Sequence, residues 1–286
     1  MLNRARVIPV LIFLCAVSFA QDNRKSQVSF IKSKDGTRIA LECLGNGPTL
    51  LIVHGGSGDR SRWKPLLPLF AAHFKTCAMD RRGHGQSESG PAYALTKEVA
   101  DVAAVVDSLP GPVFVLGHSI GGIFTLEAAG QTNKIAKLVL YEPPLQDRDH
   151  SAAANEIEKL VRAGKREQAM EAFLRNVVRV SPAELEKMRA HPAWAARVAG
   201  IDVQIREIRA ITKYRFDPKR VSRIRTRTLL LKGGQTASPE LQQAIKSLMD
   251  ALPNRELFVF ENEGHTAMDT IPKPFAEVVT RFLTER

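Results

Sequence analysis

Residues 112–122 read Pro-Val-Phe-Val-Leu-Gly-His-Ser-Ile-Gly-Gly and place Ser119 between Gly117 and Gly121. An apolar, strand-like run leads into this Gly-x-Ser-x-Gly pattern and a helix-forming run, 123–129, follows it. A turn from strand to helix in so few residues holds the serine hydroxyl out at its tip in a strained conformation. Any side chain at 117 or 121 would collide with neighbouring backbone. The helix that begins there points its free N–H groups at an anion forming beside the serine. A glycine-rich turn with an idle serine is the plainer alternative, and the rest of the chain has to decide between them.

Serine is a weak nucleophile at neutral pH; it needs a base, and the base needs a group that orients it. Three further loops offer such groups. His265 follows the last strand-like run, in Glu263-Gly264-His265. His54 with Gly55 and Gly56 follows the third, where a backbone N–H can approach the same point. Glu142 ends the run after the serine helix.

The elements that would position these groups alternate. Strand patterns cover 28–33, 38–44, 49–53, 74–79, 112–116, 137–141, 228–231 and 256–260; the first two are joined by an Asp35-Gly36 hairpin turn. Helical patterns cover 63–72, 96–109, 239–252 and 274–283. From 151 to 211 the periodicity is helical throughout, and Gly164, Pro182 and Pro192 divide it into four helices. This predicts an α/β fold: a mostly parallel sheet with an opening hairpin, helices on both faces and a helical excursion between two strands.

Composition narrows the function classes. Arg4 and Arg6 precede an apolar run, 7–20, that ends in Ser18-Phe19-Ala20, which reads as a signal peptide over 1–20 and export to the periplasm or medium. Its apolar run is shorter than the roughly 20 residues a membrane span requires. Without it the net charge falls from +11 to +9, and residues 151–227 alone hold 18 Lys and Arg against 9 Asp and Glu. Such a segment favours anionic substrates or weak association with an anionic surface, or is simply a solvated helical face. No nucleic-acid-binding signature accompanies it. Cys43 and Cys77 read as core residues on buried strands, although export permits a disulfide. No Cys or His spacing suggests a metal.

The sequence resembles the α/β-hydrolases over nearly all of 28–286. The residues that carry the likeness are His54-Gly55-Gly56, the stretch Asp80-Arg81-Arg82-Gly83-His84-Gly85-Gln86-Ser87, Gly117-His118-Ser119-Ile120-Gly121-Gly122, and Gly264-His265. The resemblance implies Ser119 as nucleophile, His265 as general base, an oxyanion hole from the N–H groups of Ile120 and Gly56, and no cofactor. It also implies a core of 21–144 and 223–286 beneath a cap of 145–222. One departure stands out: the family's acid usually follows the penultimate strand, where this chain has Gly233-Gly234-Gln235-Thr236, with no carboxylate. Glu142, one strand earlier, is then the expected acid, with Asp147, Asp149 and Asp269 as rivals.

The expected activity is hydrolysis of carboxylic esters of small, partly apolar molecules. Lactonase, amidase, carbon–carbon hydrolase and perhydrolase chemistry would use the same residues. A non-catalytic binding protein is the rival from another class. Of the remaining residues, His54 is expected to brace the oxyanion loop, His118 to pack, and His84 to support its turn. His73, His150 and His191 fall to the surface. Trp63, Phe173, Trp194 and Phe216 are candidates for pocket wall or core.

Overall fold

The computed structural model describes residues 28–145 and 149–285; the signal-peptide reading of 1–20 and the rival acid Asp147 lie outside them. Eight strands form one sheet: β1 (Val28–Lys32), β2 (Arg38–Leu44), β3 (Thr49–Val53), β4 (Lys75–Met79), β5 (Val113–His118), β6 (Ile135–Tyr141), β7 (Arg227–Gly233) and β8 (Arg255–Phe260). Their spatial order is β1-β2-β4-β3-β5-β6-β7-β8. The hairpin β1–β2 and the pair β2–β4 are antiparallel; every later pair is parallel. All five residues of β3 are buried, as its unbroken apolar run requires of a parallel strand covered on both faces.

Helices complete the layers: α1 (Leu67–Ala71), α2 (Leu95–Ser108), α3 (Ile120–Ala128), α10 (Pro239–Ala251), α11 (Ala267–Thr270) and α12 (Pro272–Thr284). Between β6 and β7 lie α4 (Ser151–Arg162), α5 (Arg166–Phe173), a π turn (Leu174–Val178), α6 (Pro182–Ala190), α7 (Trp194–Ala199), α8 (Ile201–Ile211) and α9 (Pro218–Val221). One apolar core packs α2, α3 and α10 on one sheet face. A second packs α1, α12 and Trp63 on the other. The helical insert has its own small core around Ile157, Met170, Phe173 and Ile205.

Two local expectations change. The helix expected over 63–72 is a single turn, Arg60–Trp63, followed by the short α1. Pro65 and Pro68 lack the N–H that a helix interior needs. The stretch 151–211 holds five helices rather than four, because Gly200 breaks it a further time between α7 and α8.

The larger change concerns the cysteines. Cys43 and Cys77 are not separate core residues but form a disulfide, with Cα atoms 4.0 Å apart. They are direct register partners across β2 and β4. That juxtaposition depends on β4 lying beside β2, with β3 on its other side, which chain order does not reveal. The bridge closes a 34-residue separation, so reduction should lower the unfolding free energy by about 2–4 kcal/mol. Urea unfolding with and without reductant checks this. Under denaturing conditions Cys43 and Cys77 should react with a thiol reagent only after reduction.

Candidate active site

The chemistry-bearing loops meet at the C-terminal edge of the sheet, where loops of a parallel sheet gather. Ser119 sits between β5 and α3 with φ 53° and ψ −130°, a strained conformation for a residue with a side chain. Its N–H donates to the Tyr141 carbonyl at 2.9 Å, and its own carbonyl accepts from Gly122 N–H at 2.8 Å. A Cβ on Gly117 would lie 2.6 Å from Thr125 Oγ1 and 2.7 Å from Gly122 Cα; one on Gly121 would strike the Val53 and His54 carbonyls. Both glycines are therefore required by close approach.

Glu142 follows β6 directly and is also in a left-handed conformation, φ 45°. Its side chain is fully buried. Oε2 lies 2.6 Å from His265 Nδ1, and Oε1 accepts the Gly233 N–H at 2.8 Å. The carboxylate expected from β6 thus reaches His265, and the end of β7, which supplies no acid, supplies a backbone donor instead. Thr236 is buried nearby in sequence with no hydrogen-bond partner for its hydroxyl among the described residues. The rivals are occupied elsewhere: Asp149 accepts from Ser151 N–H, and Asp269 pairs with Arg62.

The loop bearing His265 is pinned from below. The Tyr141 hydroxyl donates to the Gly264 carbonyl and accepts from Ala267 N–H at 3.0 Å. His118 Nε2 donates to the His265 carbonyl at 2.9 Å. The His118 and His265 rings lie 4.7 Å apart. Burial, and then the neighbouring His265, hold His118 well below the usual histidine range, so it stays neutral. His118 is therefore a packing and hydrogen-bonding residue as expected, but it also lines the pocket.

The loop after β3 is braced from two directions. His54 donates from Nδ1 to the Gly55 carbonyl at 2.7 Å and accepts the Arg81 N–H on Nε2 at 3.0 Å. From the insert, Gln204 Oε1 on α8 accepts the Ser57 N–H at 2.9 Å. Ser57 itself has φ 51°. One turn along α8, Glu207 binds Arg81 and lies against His84 Nε2, both at 2.7 Å. Arg81 also binds Glu98 at 3.1 Å, and the Arg81 and Glu98 side chains are fully buried. Gln204 and Glu207 were not singled out from sequence. Their signal was present: both interrupt the buried face that Ile201, Ile205, Ile208 and Ile211 form on α8.

A cavity of about 130 Å³ lies between this edge and the insert, lined by Gly56, Ser119, Ile120 and His265 from below and by Phe173, Gln204 and Ile208 from above. That approaches the ~150 Å³ of an engineered cavity that takes up benzene. Phe173 is the one aromatic of the four candidates on the wall. Trp63 is fully buried in the core, Trp194 packs within the insert, and Phe216 packs against the core. His150, expected at the surface, lines the cavity. His73 and His191 are exposed. Among the described residues no group of three or more His, Cys, Asp or Glu could hold a metal ion.

Comparison with known proteins agrees with this fold. Residues 50–280 match the alpha/beta hydrolase family. The chain belongs to that family. An alpha/beta hydrolase of Sphaerobacter thermophilus shares 30% identity and superposes with a TM-score of 0.77, covering 90% of this chain and 100% of that one. The putative carbamate hydrolase RutD of Pseudomonas syringae is 27% identical over 84% of this chain and 95% of its own length. The probable oxidoreductase EphD of Mycobacterium tuberculosis is 35% identical over 127 residues, 41% of this chain, and that match spans only 22% of EphD.

The Arg81 cluster gives a pH-dependent prediction. Burial pushes the Glu98 carboxyl up from 4.5 to about 7. Between those values the folded protein keeps a proton that the unfolded chain has released, so this contribution to stability falls as pH rises. Urea unfolding should show that decline between pH 4.5 and 7, and Glu98→Gln should flatten it. An unchanged slope in the variant would refute the assignment.

Proposed function

We propose that this alpha/beta hydrolase is a serine hydrolase that cleaves carboxylic esters of small, partly apolar molecules through a Ser119–His265–Glu142 triad. The observation that carries the reading is the buried Glu142 carboxylate 2.6 Å from His265 Nδ1. That contact sets the imidazole tautomer with its proton on Nδ1, leaving Nε2 free to accept a proton from the serine that shares its cavity.

The mechanism follows from those groups. His265 takes the Ser119 hydroxyl proton as the oxygen attacks the substrate carbonyl, and Glu142 stabilises the imidazolium. The oxyanion forms at the start of α3, where Ile120 N–H and Gly56 N–H donate to it. Collapse breaks the ester bond, and the alcohol leaves with the proton from His265. Water then attacks the acyl-enzyme, giving its proton to His265; collapse releases the acid and restores the Ser119 hydroxyl. Gln204, by holding Ser57, positions the loop that presents Gly56.

The helical insert, 145–222, acts in this reading as a cap over a core of 21–144 and 223–286. Export through the 1–20 signal peptide is part of the proposal; the Cys43–Cys77 disulfide supports it, because disulfides persist in oxidising compartments. The likeness to RutD, a putative carbamate hydrolase, keeps carbamates and amides beside esters as acyl substrates.

Hydrolysis of p-nitrophenyl butyrate and labelling by a fluorophosphonate test the proposal. Ser119→Ala should abolish both. Glu142→Gln should lower kcat by about 10² or more, since losing the orienting acid costs up to ~10⁴. Retained activity in Glu142→Gln would remove the glutamate from the triad. An inert wild type would leave a binding protein on the same fold.

A further inference from the structure

Helix α8 has a second working face. Gln204, Glu207, Ile208 and Ile211 line the cavity that holds Ser119, whereas Arg206, Arg209 and Lys213 line a separate cleft between the insert and α2 and α3 of the core. That cleft encloses about 660 Å³ and shares no lining residue with the first cavity. Small-molecule sites commonly measure roughly 300–1,000 Å³. Buried Val99, Ile123 and Phe124 form its apolar floor. Five cations stand around it, Arg206, Arg209, Lys213, Arg215 and Arg220, against one carboxylate, Glu127. Glu127 is already engaged: it accepts from Arg220 Nε and Nη2 at 2.9 and 2.7 Å and from the Tyr214 hydroxyl at 2.7 Å. Arg209 is bound by Glu158 and Asn155. Arg215 Nη1 donates to the Thr212 and Tyr214 carbonyls, both at 2.8 Å. Arg206 and Lys213 form no ion pair with a carboxylate among the described residues.

Arg206 is nonetheless held in place. Its guanidinium lies over the Tyr93 ring, 4.2 Å from the centroid, and Nη2 donates to the Arg82 carbonyl at 3.1 Å. Its Nε is buried with no partner among the described residues. Glu207, the next residue, gives its carboxylate to Arg81. We propose that the cleft is a binding site for a small organic anion, an apolar body that carries a carboxylate or phosphate group. The body would rest on the floor beside Val99 and Phe124, and the acidic oxygens would meet Arg206 and Lys213. Guanidinium binds such oxygens with charge-assisted hydrogen bonds, and an ammonium adds a point charge. A cation fixed in advance loses little side-chain freedom when its ligand arrives. A concave wall of one sign also concentrates anions. All five cations belong to the 151–227 segment with its positive excess, so the cleft gives part of that excess a use. The site is distinct from that of the ester chemistry and does not depend on the serine-hydrolase reading.

Calorimetric titration of the whole protein with 1-naphthoate and 1-naphthyl phosphate tests the site. The uncharged 1-naphthylmethanol supplies the body alone, and acetate and inorganic phosphate supply the heads alone. At least one naphthyl anion should bind with a Kd below about 1 mM. The body alone and the heads alone should bind about tenfold or more weakly. Whichever naphthyl anion binds tighter names the acid group of the ligand. Arg206→Met should weaken that binding about tenfold, and Arg206→Lys should restore part of it. Lys213→Met changes an exposed side chain that the fold does not require, and it should weaken binding about threefold. Failure of both naphthyl anions to bind overturns the inference in the wild type, without recourse to any variant. Equal binding of the uncharged alcohol overturns it as well, since an apolar groove alone would then account for the cleft. Binding that both Arg206→Met and Lys213→Met leave intact places the ligand elsewhere and also overturns it. So does binding to phosphatidylglycerol vesicles with none to the dissolved anions, which would assign the cations to a lipid surface.

Discussion

The Glu142 carboxylate is the constraint on which the candidate site depends. It is fully enclosed, and a buried carboxylate is tolerated only where hydrogen bonds replace its water. Its two oxygens take those bonds from two different places, the end of β7 through Gly233 and the loop after β8 through His265. The left-handed turn at Glu142 aims the side chain along this line. Three adjacent strands, β6, β7 and β8, are thereby tied by one side chain at the edge where the cavity opens. Tyr141, one residue earlier, secures the same loop from beneath.

A second knot ties the insert to the core. Gln204 and Glu207 come from one face of α8 and reach Ser57, Arg81 and His84, all on loops after β3 and β4. Arg81 in turn meets Glu98 on α2. A cluster of this kind contributes little net stability compared with apolar packing, but breaking one member leaves an uncompensated buried charge. Through it, α8 of the insert is tied to the loops after β3 and β4 and, by way of Arg81, to α2. Gln204 both lines the ceiling of the cavity and accepts the Ser57 N–H of the loop after β3, so the insert is part of the site's architecture.

Much of this was legible before any coordinates. Gly117 and Gly121 are demanded by steric contacts local to the strand-to-helix turn, and such contacts are written directly into sequence spacing. The β3 and β5 runs are apolar throughout because both faces are covered. His54 bracing its own loop involves an adjacent carbonyl. Less was legible in the insert, where Gly200 divides a continuous helical pattern, and around 63–72, where two prolines override apolar periodicity.

The sequence by itself determined the elements, the serine elbow and the set of polar residues available at strand ends, because those follow from local sterics and periodicity. Only the tertiary structure decided which of them meet. It placed β4 against β2 and so joined Cys43 to Cys77, brought Glu142 rather than Asp149 or Asp269 to His265, and set Gln204 on Ser57 across 147 residues of chain. It also left Nη1 of Arg197 buried with no hydrogen-bond partner among the described residues. The physical reason is common to all four: hydrogen-bond and ion pairing inside a protein depend on distances of about 3 Å between side chains, and those distances are set by sheet order and helix docking, which no local pattern encodes.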